Sequence, residues 1–126
     1  MSFKSPLALA RGRGSAHNGT RHWLVQRWTA LALIPLGLAA AVLFFWVMHA
    51  GYYQVFALMH LPWVMLFVVL LVGVVYWHAF LGLKVVLEDY LAPGPAFVWI
   101  TLAKFFSVAL ALLGIIAALM VGFRSF

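Results

Sequence analysis

The sequence predicts an all-α integral membrane protein with three transmembrane helices, its N-terminus cytoplasmic and its C-terminus on the opposite side. Two observations carry this. Of the 126 residues, 67% are hydrophobic and 8% charged, with mean hydropathy +1.12, values outside the globular range and inside the membrane range. The apolar residues also fall into three runs, about 28–48, 64–87 and 97–123, each long enough at ~1.5 Å per residue to cross a hydrocarbon core ~30 Å thick. No alternating strand pattern appears, and Gly12 and Gly14 stand in a polar tail rather than in a phosphate-binding loop. The absence of cysteine excludes disulfides, thiolate iron–sulfur ligation and covalently attached haem. The chain is one domain at most: a basic cytoplasmic segment, 1–27, followed by a three-helix anchor, 28–126.

Lys4, Arg11, Arg13, Arg21 and Arg27 crowd the first segment between small polar residues, and it is expected to be mobile and basic. The apolar run behind it is too long for the h-region of a signal peptide and lacks a small-residue cleavage site, so the segment is expected to be retained. The net charge of +6 flanks apolar spans and has no polar domain to carry it. Its expected roles are topology and contact with lipid headgroups, not nucleic-acid binding.

The first span carries no charged residue, and Pro35 and Gly37 are expected to bend it. The loop from His49 to Trp63 contains no Lys or Arg, so it faces away from the cytoplasm. Tyr52, Tyr53 and Trp63 read as interfacial aromatics, and His49 and His60 as surface histidines. Pro62 suits the start of the second helix. Lys84 snorkels near its other end and precedes Glu88 by four residues, the less favourable order, worth a few tenths of a kcal/mol. Pro93-Gly94-Pro95 stops that helix after Tyr90. In the third span Lys104 snorkels at the cytoplasmic end, Gly114 and Gly122 permit close helix contacts, and Arg124 lies beyond the far end.

One stretch, Trp77 to Tyr90, concentrates the chemistry. It holds both acidic residues, Glu88 and Asp89, and the one histidine deep in a span, His78. At ~100° per residue His78, Gly82, Val85 and Asp89 share a helical stripe, with Asp89 roughly 16 Å beyond the histidine. Gly82 has no side chain, so a large flat partner can lie close to the surface there. A polar residue in hydrocarbon must point toward protein, cofactor or water. A hydrogen bond to a neighbouring helix is the plainer use, and a cofactor ligand the functional one.

The pattern of His78, Gly82, Asp89 and Tyr90 resembles the second helix of the small membrane-anchor subunit of succinate dehydrogenase, respiratory complex II. The first span resembles that family's first helix, where an arginine is followed after one residue by Thr-Ala: here Arg27, Trp28, Thr29, Ala30. At Arg21 and His22 this chain departs from the His and Asp of other members. The resemblance covers the three-span plan. It implies that His78 is an axial ligand of a haem b and that Tyr90 hydrogen-bonds ubiquinone with Asp89 beside it. Arg27, with Arg21 and His22 second, would meet the haem propionates or border the quinone pocket. The implied partners are a second cytochrome b anchor subunit, completing a haem-containing helical bundle, and the iron–sulfur and flavoprotein subunits on the cytoplasmic face of a bacterial inner membrane. Succinate oxidation would belong to the flavoprotein, and this chain would contribute to ubiquinone reduction.

Chemistry supports part of this independently. Propionates in a low-dielectric site need guanidinium partners. A six-coordinate haem needs two axial ligands, and a chain with one deep histidine must share the site with another subunit. Two other readings compete: a haem-free structural anchor, and a small transporter, which would need a carboxylate within the membrane.

Overall fold

The computed structural model describes residues 16–123, with side chains from Thr20 onward, so Lys4, Arg11, Arg13 and Arg124 lie outside the described residues. Four helices follow in order: α1 (Ala16–His49), α2 (Tyr52–Met59), α3 (Pro62–Tyr90) and α4 (Pro93–Gly122). Three of them, α1, α3 and α4, are long and apolar enough to cross a membrane, as the composition predicts.

Helix α1 begins well before residue 28, so the part of the basic segment from Ala16 to Arg27 is helical instead of irregular. Charge marks where hydrocarbon ends; it does not stop a helix, and Arg, Leu and Gln are good helix formers. The helix also runs unbroken through Pro35. Between the first two spans lies α2, a short helix where a loop is expected from the sequence. The Gly51 N–H donates to the Gln54 side-chain oxygen at 3.0 Å, tying off the start of α2. Phe56 is buried under it, while Tyr52 and Tyr53 remain exposed, as interfacial aromatics would be.

Helix α3 starts with Pro62 in its first turn and ends at Tyr90, with Leu91 and Ala92 between it and α4. Proline thus punctuates the chain as expected, but α4 starts at Pro93 rather than near Phe97. The N–H groups of a first helical turn have no intrahelical partner, so Pro93 and Pro95 open the helix without losing a bond.

Helix α3 is the central element: it packs against α4 most extensively and against α1 on another side. The α3–α4 pair is close because Gly114 meets Val72, whose Cγ1 lies 3.2 Å from where a Cβ would stand. Further along, Gly122 lies against Met65 and the Met59 carbonyl. Within this chain only Phe56, Val64, Phe80, Leu81, Ala96 and Gly122 are buried among the described residues. Nothing in the most apolar window of α1 is buried. Three thin helices enclose little interior, and their exposed faces are left for lipid or another subunit.

Candidate functional site

Helix α1 carries a polar stripe on one face, His22, Gln26 and Thr29, at spacings of four and three that return to the same side of a helix. Helix α3 answers with His78 and Gly82. The two stripes meet antiparallel. Thr29 Oγ1 lies 2.9 Å from His78 Nδ1, and the Gln26 side-chain nitrogen is 3.8 Å from where a Gly82 Cβ would be.

The Gly82 gap is therefore filled in part by α1, where the sequence alone left it open for a flat partner. A side chain larger than alanine there would push the Gln26 amide, and α1 with it, away from α3. The plainer role foreseen for His78, a hydrogen bond to a neighbouring helix, is also present: it is the Thr29 contact. Such interhelical bonds in a bilayer contribute about 0.6 to 2 kcal/mol. It uses only one of the two ring nitrogens. Among the described residues His78 makes no other side-chain hydrogen bond, which leaves its Nε2 unengaged.

Thr29 Oγ1 also lies 2.9 Å from the Gln26 carbonyl oxygen, to which it donates. About one turn from Gln26 toward the start of α1, His22 Nε2 is buried and has no hydrogen-bond partner among the described residues. A buried, unpaired ring nitrogen calls for an explanation. Sequence reasoning singled out His22 but passed over Gln26 and Thr29 as chemical groups. Their signal was available, since three polar residues on one face of an apolar helix mark a buried side.

The remaining candidates lie apart. Arg27 is exposed and its guanidinium stacks 5.0 Å from the centre of the Trp23 ring, two residues and ~200° from Thr29, on a side of α1 away from α3. Arg21 is exposed too. Asp89 and Tyr90 stand exposed at the last turn of α3, Tyr90 at 83%. Beside them Lys84 and Glu88 pair at 3.5 Å. His49 and His60 each donate from Nδ1 to a carbonyl one turn back, Phe45 and Phe56, at 2.8 Å. Among the described residues no cluster of three or more His, Cys, Asp or Glu is placed to hold a metal ion by itself.

The profile of the succinate dehydrogenase/fumarate reductase transmembrane subunit family matches residues 1–117. The chain belongs to this family. Two curated relatives are succinate dehydrogenase hydrophobic membrane anchor subunits. The one from Rickettsia bellii is 33% identical over 92 residues, 71% of this chain and 72% of the relative. The one from Rickettsia conorii is 31% identical over 94 residues, with the same coverage. No solved structure matches the chain significantly. His78, half-buried between two spans with one ring nitrogen unengaged, is a residue that could hold a cofactor. The buried His22 Nε2, without a partner among the described residues, is the second ring nitrogen here that could meet a ligand.

Proposed function

We propose that this chain is the membrane-anchor subunit of a succinate:ubiquinone oxidoreductase in a bacterial inner membrane, its N-terminus cytoplasmic and its C-terminus opposite. It pairs with a second cytochrome b anchor subunit and carries the iron–sulfur and flavoprotein subunits on the cytoplasmic side. The observation that supports an electron-transfer role over a bare anchor is the state of His78: Nδ1 engaged by Thr29, Nε2 left over.

His78 Nε2 would hold a haem b together with a donor from the partner anchor. When bound, that haem supplies a one-electron carrier in the membrane. His22, with its buried unpaired nitrogen, is assigned to a propionate. Arg27 and Arg21 bring guanidinium groups to the same end of α1, where they neutralise propionate charge or border the quinone pocket. The stacking of Arg27 on Trp23 holds its charge at a face open to a partner.

Ubiquinone is the substrate. Its reduction takes up two electrons and two protons, and charge develops on a carbonyl oxygen as it proceeds. The Tyr90 phenol donates a hydrogen bond to that oxygen, and Asp89 orients the hydroxyl or relays protons from the aqueous phase. The transporter reading loses ground because Glu88 and Asp89 both sit in the exposed last turn of α3. Isolation of the complex through this subunit tests the proposal: flavoprotein, iron–sulfur and second anchor subunits are expected with it, together with b-type absorbance. Isolation of this chain alone, without haem, would count against it.

A further inference from the structure

We infer that Thr29 is the positioning residue that fixes the ring tautomer of His78 and so leaves Nε2 as the donor nitrogen. The inference rests on the assignment of His78 as an axial ligand and deepens it. The argument is a count of protons. Thr29 Oγ1 stands 2.9 Å from the Gln26 carbonyl oxygen and 2.9 Å from His78 Nδ1. A hydroxyl has one proton to give and lone pairs to receive with. A carbonyl can only accept, so if both contacts are hydrogen bonds the Thr29 proton goes to Gln26. The bond to His78 must then run the other way, from Nδ1–H to Oγ1.

A neutral imidazole carries one N–H. With that proton on Nδ1, Nε2 has a free lone pair. The opposite tautomer would place a hydrogen on Nε2 and block it, while breaking the Thr29 to Gln26 bond. The relay Nδ1–H to Oγ1–H to O=C is therefore self-consistent in one direction only when both contacts are made. His49 and His60 follow the same rule with plain carbonyls, each donating from Nδ1 to its own helix. His78 differs in that its acceptor belongs to another span, so ring orientation is coupled to the fit of α1 on α3. A ligating histidine held through its second nitrogen becomes a stronger donor, and loss of that bond weakens metal affinity by ~10- to 100-fold.

The test uses the whole complex, isolated with parent, Thr29→Val, Thr29→Ser and His78→Leu forms of this chain, and reads haem content and haem reduction midpoint potential. Valine keeps the shape and removes the acceptor. Thr29→Val is expected to raise the potential, because a weaker imidazole donor favours the oxidised form less, and to lose haem during purification. Thr29→Ser restores the hydroxyl and is expected to return both to parental values. If Thr29→Val and Thr29→Ser match the parent while His78→Leu does not, the role of Thr29 is overturned and the ligand assignment stands. If His78→Leu keeps parental haem content and potential, the assignment beneath the inference fails and the inference with it. Should Thr29→Val not assemble, Thr29→Ala against Thr29→Ser makes the same comparison, and equal potentials in the two overturn the role.

Discussion

Thr29 and His78, forty-nine positions apart in the chain, meet at 2.9 Å between hydroxyl oxygen and ring nitrogen. This contact joins the first membrane helix to the second. It also sets the depth at which α1 and α3 align, since Gln26 then falls over Gly82. The Arg27-Trp28-Thr29-Ala30 stretch and the stripe of His78 and Gly82 thus come together as one contact surface, with Thr29 rather than Arg27 at its centre.

Gly82 is where this surface is most sensitive to volume. A Cβ there would sit 3.8 Å from the Gln26 amide, an ordinary van der Waals distance. Gly82→Ala is therefore expected to assemble with parental haem content. Gly82→Leu has to displace Gln26 and carries the overpacking penalty of about 1 to 3 kcal/mol. Thermal denaturation of the purified complex, with haem content read alongside, checks both. Equal behaviour of Ala and Leu would mean that α1 does not press on Gly82 in the assembled complex.

Arg27→Leu is expected to lower haem retention or ubiquinone reductase activity while succinate oxidation with an artificial dye acceptor stays close to parental. The dye reaction bypasses the membrane subunits, so the two rates separate a local role from a general one. A parallel fall in both rates would assign Arg27 to assembly instead.

The spans were legible because hydrophobic length is a local property, and so were the prolines that open α3 and α4. His78 and the Asp89-Tyr90 pair stood out because each interrupts an apolar run or ends it. What could not be read was register. The stripe of His22, Gln26 and Thr29 marks a face turned from lipid, but nothing local says that this face meets His78. The same limit applies to Ala16–Arg27, where clustered charge hid a helix that begins at Ala16. The short helix α2 was missed because eight residues show too few turns for periodicity to declare itself. On sequence Arg27 outranks His22 for its guanidinium and its place before Thr29-Ala30, whereas the fold turns His22 inward and leaves Arg27 on Trp23.

Tyr90→Phe removes one hydroxyl and keeps the ring. A tyrosine that merely sits at the membrane surface would lose nothing measurable by it. A donor to the developing charge on the quinone would lose about 2 to 4 kcal/mol of transition-state stabilisation, a fall of roughly 10²-fold or more in ubiquinone reduction. The rate is to be compared at equal haem and subunit content. Turnover within about twofold of the parent would remove Tyr90 from the site.

The central claim is that this chain supplies one axial ligand, His78, to a haem b shared with a second anchor subunit. Its most direct test is the reduced-minus-oxidised spectrum of the purified complex, parent against His78→Leu, with haem quantified per mole of complex and subunit composition checked on the same sample. The account predicts a b-type difference spectrum in the parent and its loss or marked alteration in the variant, accompanied by weaker assembly. An unchanged spectrum at unchanged stoichiometry in His78→Leu would contradict it.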